Sequence, residues 1–212
     1  MKKLLLILLC LPMIGFGQLT MIPDANFEQA LINLGYDTGT PNGTVPTANI
    51  NNADDLSISN QNISDLTGIE AFTALTNLYC GNNQLTSLDV SQNTALTDLY
   101  CSYNQLTSLD VSNNIALFIL YCNDNQLTSL DVSNNTNLIE FSCSDNLLTS
   151  LDVRNGNNIN MGFMDTWFNN GIGTVNNPYL NCINVDDSTF STNTWANGGW
   201  FEIDPHHYFS TN

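Results

Sequence analysis

Apolar residues keep a strict register through the middle of this 212-residue chain, and the register returns every 21 residues. Leu75, Leu96, Leu117 and Leu138 form one column, and Leu78, Leu99, Leu120 and Phe141 form the next. Cys80, Cys101, Cys122 and Cys143 follow, then Asn83, Asn104, Asn125 and Asn146, and Leu85, Leu106, Leu127 and Leu148 close the half-turn. The second half repeats the spacing with Leu88, Val90 and Asn93, with Leu109, Val111 and Asn114, and with Leu130, Val132 and Asn135. A fixed period of this size marks a solenoid, in which each unit buries its core only by stacking on its neighbours. Alternation in L-x-C and L-x-V is a strand signal, and it predicts a short parallel strand on the "LYC" side of each coil and a short extended stretch on the "LDV" side, with little room for helix.

Upstream, "IPDANFEQALINLGYDTG" places Phe27, Leu31 and Leu34 on one helical face that ends at Gly35, which predicts a helical N-terminal cap. Downstream the register decays: Gly156 stands where an asparagine is due and Met164 where a cysteine is due. Residues beyond about 162, with Trp167, Trp195 and Trp200, read as a C-terminal cap.

The string L-x-x-L-x-C-x-x-N-x-L resembles the leucine-rich-repeat family over about residues 54 to 160, and "ISDLTGIEAFTAL" resembles its internalin-type version. The fold class is therefore a repeat solenoid. It is expected as a leucine-rich-repeat right-handed coil of mostly short parallel β-strands with a helical N-terminal cap. The expected organisation is a signal peptide over 1–17, the cap over 18–53, the solenoid over 54–161 and a C-terminal cap over 162–212.

Each repeated residue has a physical reading. A coil corner leaves backbone groups unpaired, and a stacked asparagine can donate to and accept from them. The cysteines point inward like the leucine before them. Neighbouring coils sit roughly 4.8 Å apart, whereas a disulfide prefers Cβ atoms about 3.5–4.5 Å apart, and a straight column does not converge on a metal as tetrahedral thiolates must. Core packing is preferred, with adjacent disulfides second and metal last.

The residues beside the cysteine point outward, and the resemblance implies that this concave strand face is the binding surface. Tyr79, Tyr100 and Tyr121 form a row there, continued by Ser142. Asp98 and Glu140 lie beside it, and Tyr103, Asp124 and Asp145 follow past the cysteine. These eight tyrosines and acids are the candidate ligand-binding residues, since rigid exposed tyrosines suit a protein partner or a sugar ring. The alternative is that the rings only brace each other across strands.

Composition narrows the partners. Lys2 and Lys3 belong to "MKKLLLILLCLPMIGFGQ", which reads as a secretory signal and is too short to span a bilayer. Its removal leaves Arg154 alone against 20 acidic residues, which excludes nucleic acid and anionic lipid. The aspartate column Asp89, Asp110, Asp131 and Asp152 matches the opening of a calcium loop in "DVSNN". It lacks that loop's glycine and closing glutamate, so solvated surface is preferred and no cofactor is expected beyond a weak chance of calcium. Asp186, Asp187, His206 and His207 read as surface. The resemblance implies a further cysteine after "F-S" in the end segment, and the chain stops at "YFSTN", so either the sequence is truncated or Cys182 is a free thiol. No nucleophile–base pair, phosphate loop or convergent ligand set is visible. The expectation is a secreted or cell-surface, non-enzymatic, monomeric binding module for a protein or carbohydrate ligand. The alternative is a structural spacer of a larger surface adhesin.

Overall fold

The computed structural model describes residues 17–161, 174, 176–196 and 206–212. Nearly all of the expected signal peptide, with Cys10, lies outside the described residues, as do Met164, Trp167 and Trp200. Strand β1 (Leu19–Met21) pairs antiparallel with β2 (Thr44–Pro46), and helix α1 (Ala25–Asn33) lies between them in the chain. Asp24 opens α1 because its Oδ1 accepts from the free Asn26 and Phe27 N–H groups at 2.8 and 3.0 Å. The same carboxylate reaches forward, its Oδ2 accepting from the Ser64 N–H and hydroxyl at 2.8 Å each. Burial pushes the Asp24 carboxyl up, and the hydrogen bonds from Ser64, Phe27 and Asn26 outweigh it, leaving it below the usual carboxylate range.

Phe27, Ala30 and Leu31 are buried in a core that runs on into the coils, where Phe27 stacks on Phe72 with centroids 6.4 Å apart. Leu34 corrects the expected helical face. It is exposed, because α1 ends at Asn33 and the chain reverses at Gly35, whose φ of 85° is the left-handed conformation that favours glycine. The Tyr36 N–H then bonds back to the Leu31 carbonyl at 2.9 Å, so Tyr36 packs against the core. A buried carboxylate holds the following loop: Glu28 accepts from the Asn42 and Gly43 N–H groups at 2.6 Å each.

After the short α2 (Thr47–Ile50) the solenoid begins. Strands β3 (Asp55–Ser57), β4 (Asn77–Tyr79), β5 (Asp98–Tyr100), β6 (Ile119–Tyr121) and β8 (Glu140–Ser142) form a five-stranded parallel sheet in that order. Each strand buries its middle residue, so Leu56, Leu78, Leu99, Leu120 and Phe141 stack in register. On the opposite side β7 (Ser129–Asp131), β9 (Ser150–Asp152), β10 (Cys182–Asn184) and β11 (Tyr208–Ser210) form a second parallel sheet. The first two L-x-V stretches keep Leu88, Val90, Leu109 and Val111 buried but close no ladder, so this side is less regular than the five-stranded sheet.

Two ladders of asparagine hold the coils. Asn104 accepts from the Leu85 N–H at 3.0 Å and donates to the Cys80 and Cys101 carbonyls at 3.1 Å each. Asn125 and Asn146 repeat the pattern one and two coils on. In the second ladder Asn114 donates to the Val90 and Asn93 carbonyls at 3.0 and 2.9 Å, and Asn135 repeats this. The expected decay after Val153 is smaller than the spacing implies. Asn155, one residue early, donates to the Asn135 carbonyl at 3.0 Å, leaving Gly156 to turn the chain at φ 76°. Asn177 then takes the next place in the first ladder, accepting from Leu148 N–H at 3.1 Å and donating to the Cys143 carbonyl at 3.0 Å. Between β10 and β11 the described residues form α3 (Ser188–Ser191) and one π-helical turn, where the buried Trp195 meets Phe209 edge-on at 5.7 Å.

Candidate functional site

The parallel register that buries the leucines also sets the outward residues opposite one another. Tyr79 faces Tyr100, Tyr100 faces Tyr121, and Tyr121 faces Ser142. The rings of Tyr79 and Tyr100 stack with centroids 4.7 Å apart and planes 13° apart, and Tyr121 meets Tyr100 edge-on at 5.1 Å. Such pairs are each worth about 0.5–1.5 kcal/mol beyond the area they bury. The Tyr121 hydroxyl donates to Glu140 Oε2 at 2.9 Å, which ties the last ring to the strand beyond it.

Acids surround the row. Burial, then the charges of Asp55 and Asp98, raise the Tyr79 phenol, while burial, then Asp98, Tyr79 and Glu140, push Tyr100 up to about 12. Both hydroxyls therefore remain protonated donors at neutral pH. Asp98 itself accepts from the Thr97 hydroxyl at 2.6 Å.

Of the eight candidate residues, the structure brings Tyr79, Tyr100, Tyr121, Asp98 and Glu140 together on one sheet. Tyr103, Asp124 and Asp145 form a separate column at the corner after it. That corner is left-handed: Asn82, Tyr103, Asp124 and Asp145 have φ of 52°, 57°, 54° and 54°. Asparagine and aspartate tolerate this conformation better than other non-glycine residues, and Tyr103 is the one member of the column that is neither. Tyr103 is 59% exposed, and the charge of Asp124 raises its phenol. Asp124 and Asp145 are held by side-chain amides, Asn123 and Asn176, at 2.7 Å each. The signal in the sequence was the run of Asn and Asp at this place in three of the four repeats.

The cysteines lie behind the row. All four of the column are fully buried, and the five described cysteines are free thiols. Burial drives the Cys101 thiol up to about 12 and raises Cys80, Cys122 and Cys143 in the same direction. The aspartates of the opposite side are engaged locally: Asp89, Asp110 and Asp131 each accept from the N–H two residues on, at 2.8–2.9 Å. Asp152 does the same for Arg154, whose guanidinium also pairs with it.

Comparison with known proteins places this arrangement. No family model and no curated protein matches the chain. Among solved structures, the functional domain of InlJ from Listeria monocytogenes, described as including a cysteine ladder, is similar at 35% identity and a TM-score of 0.62. The match covers 80% of this chain and 38% of that one. The internalin InlF from the same organism is similar in fold, at 19% identity and a TM-score of 0.54, over 82% of this chain and 54% of that one. The chain thus spans well under two thirds of either structure.

Proposed function

We propose, from the premise that this chain is an internalin-like leucine-rich-repeat protein, that it is a non-enzymatic surface binding module that recognises a partner through the β3–β8 sheet. The observation that supports this most is the tyrosine row. Stacking fixes the rings before any partner arrives, so little side-chain freedom is lost on binding. Large aromatic residues held rigid at the centre of a face are the usual anchors of protein interfaces.

The partner class is protein in preference to carbohydrate. Tyr100 contacts a ring on either side, and one of its faces is covered by Tyr79, which leaves less open ring face for a flat sugar there. Ring edges and hydroxyls remain, and these suit the polar and apolar mixture of a protein surface. Among the described residues no helix is long and apolar enough to cross a membrane. A secreted or outer-surface location accords with the signal-like first segment.

A second reading has its own support: the same stacking satisfies the tyrosines without a ligand, as a spacer within a larger adhesin would require. Changing Tyr79, Tyr100 and Tyr121 together to Ser separates the two. Wild type and variant are applied to arrays of extracellular proteins and of glycans, with circular dichroism as the check on folding. Loss of every protein signal with the fold intact supports recognition, with affinity falling about 30-fold if the central ring carries about 2 kcal/mol. Identical arrays would make the row structural.

A further inference from the structure

The repeats are near-copies, so each coil serves as an internal control for what the fold requires. At the position two before the buried strand leucine, the chain has Thr76 and Thr97, then Phe118 and Ile139. At the next position Asn77, Asp98 and Glu140 surround a single Ile119, and three residues before Phe118 the threonines 73, 94 and 136 give way to Ile115. The backbone does not change with them. Phe118 and Ile119 N–H groups bond to the Thr97 carbonyl at 2.7 and 3.0 Å, as Thr97 and Asp98 bond to Thr76 at 2.8 and 3.1 Å. Threonine and aspartate therefore satisfy this part of the coil, and folding gives no reason for four apolar residues here.

All four reach the surface. Ile115 is 60% exposed, and Phe118, Ile119 and Ile139 are each only partly covered. Between Phe118, Ile139 and Ala116 lies an open groove of about 520 Å³, whose lining also includes Asp98, Asn137 and Asn157. That size suits an inserted side chain or short loop. The groove adjoins the tyrosine row: Ile119 is two residues before Tyr121, and in the sheet it pairs with Asp98 on one side and Glu140 on the other.

We propose that this groove is the anchoring pocket of the binding face, and that its occupant is a basic segment of a partner protein. The segment seats an apolar side chain between Phe118 and Ile139 and sets a Lys or Arg against Asp98 and Glu140. The charge argument selects the occupant. Two carboxylates flank Ile119, the whole chain carries a formal charge of −17, and Arg154, the sole described Lys or Arg, is engaged by Asp152 on the other side. A second copy of this chain would bring carboxylates to carboxylates, whereas a cationic partner meets complementary charge. The inference rests on the reading of the sheet as a recognition face and adds the chemistry of what it recognises.

The test uses isoleucine methyl NMR on the full chain with two probe peptides, acetyl-Leu-Arg-Leu-amide and acetyl-Leu-Glu-Leu-amide. Saturable shifts at Ile115, Ile119 and Ile139 with the basic peptide, weakened at least threefold as salt rises from about 50 to about 500 mM, are expected. Shifts with the acidic peptide should be absent. Phe118→Thr with Ile139→Thr, which restore the residue of the neighbouring coils and so preserve the fold, should abolish the response. Equal response to both peptides, no response to either, or concentration-dependent methyl shifts without peptide, showing self-association, would each overturn the proposal. Protein capture lost on changing the tyrosines but kept by the double threonine variant would overturn this pocket alone and leave the recognition face standing.

Discussion

Asn104 and Asn114 sit in equivalent places in two ladders and bond differently. Asn104 uses both ends of its amide, while the buried Oδ1 of Asn114 has no hydrogen-bond partner. Asn104→Ala strands an N–H and the carbonyls it served, and should cost about 3 kcal/mol in urea unfolding. Asn114→Ala also removes an unpaired acceptor and should cost clearly less. Equal or reversed costs would contradict the ladder account. At the left-handed corner, Tyr103→Asn should raise stability by about 1 kcal/mol, since asparagine holds that conformation in the coil before it. The buried thiols supply a pH test. Burial moves Cys101 from its ordinary 9.0 up to about 12, so the folded state holds its proton more tightly than the unfolded chain does. The resulting stability is fully present below pH 9.0 and is lost as pH rises toward about 12. A thiol reagent at pH 8 should label the column only after denaturation.

At the scale of elements, one carboxylate clips helix α1 to the first coil. Asp24→Ala removes both the helix cap and the bonds to Ser64 and should cost about 1–2 kcal/mol. In a solenoid each unit contacts only its neighbours, so amide exchange should quicken in α1 and near Ser64 while β6 and β8 stay protected. Because the Asp24 carboxyl is depressed, its contribution is present above the unfolded value near 3.8 and is lost as pH falls through the lower folded value. The coil pattern was legible because a 21-residue period repeats every inward residue. The tyrosine row was legible for the same reason, since parallel pairing sets equal positions opposite one another. Other features were not. Leu34 fits a helical face in the sequence, but Gly35 ends the helix first. Asn155 and Asn177 hold their ladders from shifted positions, which a fixed spacing cannot find. The corner at Tyr103 depends on a backbone angle that hydrophobic patterning does not encode. The groove at Phe118 and Ile139 lay in plain view as departures from the repeat, and only the surface they share gives them meaning.

Across the whole molecule, charge and stacking act together. Acidic columns repeat with each coil, so the folded state repels itself and the melting temperature should rise with added sodium chloride. The column of Asp89, Asp110 and Asp131 is already bonded to its own turns. Calcium should therefore raise the melting temperature no more than magnesium at equal ionic strength, and a calcium-specific rise would reveal a bound ion. The most direct test of the central claim is tyrosine-selective radical footprinting of the protein bound to a partner recovered from the arrays. Tyr79, Tyr100 and Tyr121 should be protected in the complex, whereas Tyr179 and Tyr208, which are 61% and 60% exposed and lie outside the row, should label as in the free protein. Protection of Tyr179 or Tyr208 with the row labelled unchanged would contradict the assignment of the strand face as the recognition surface.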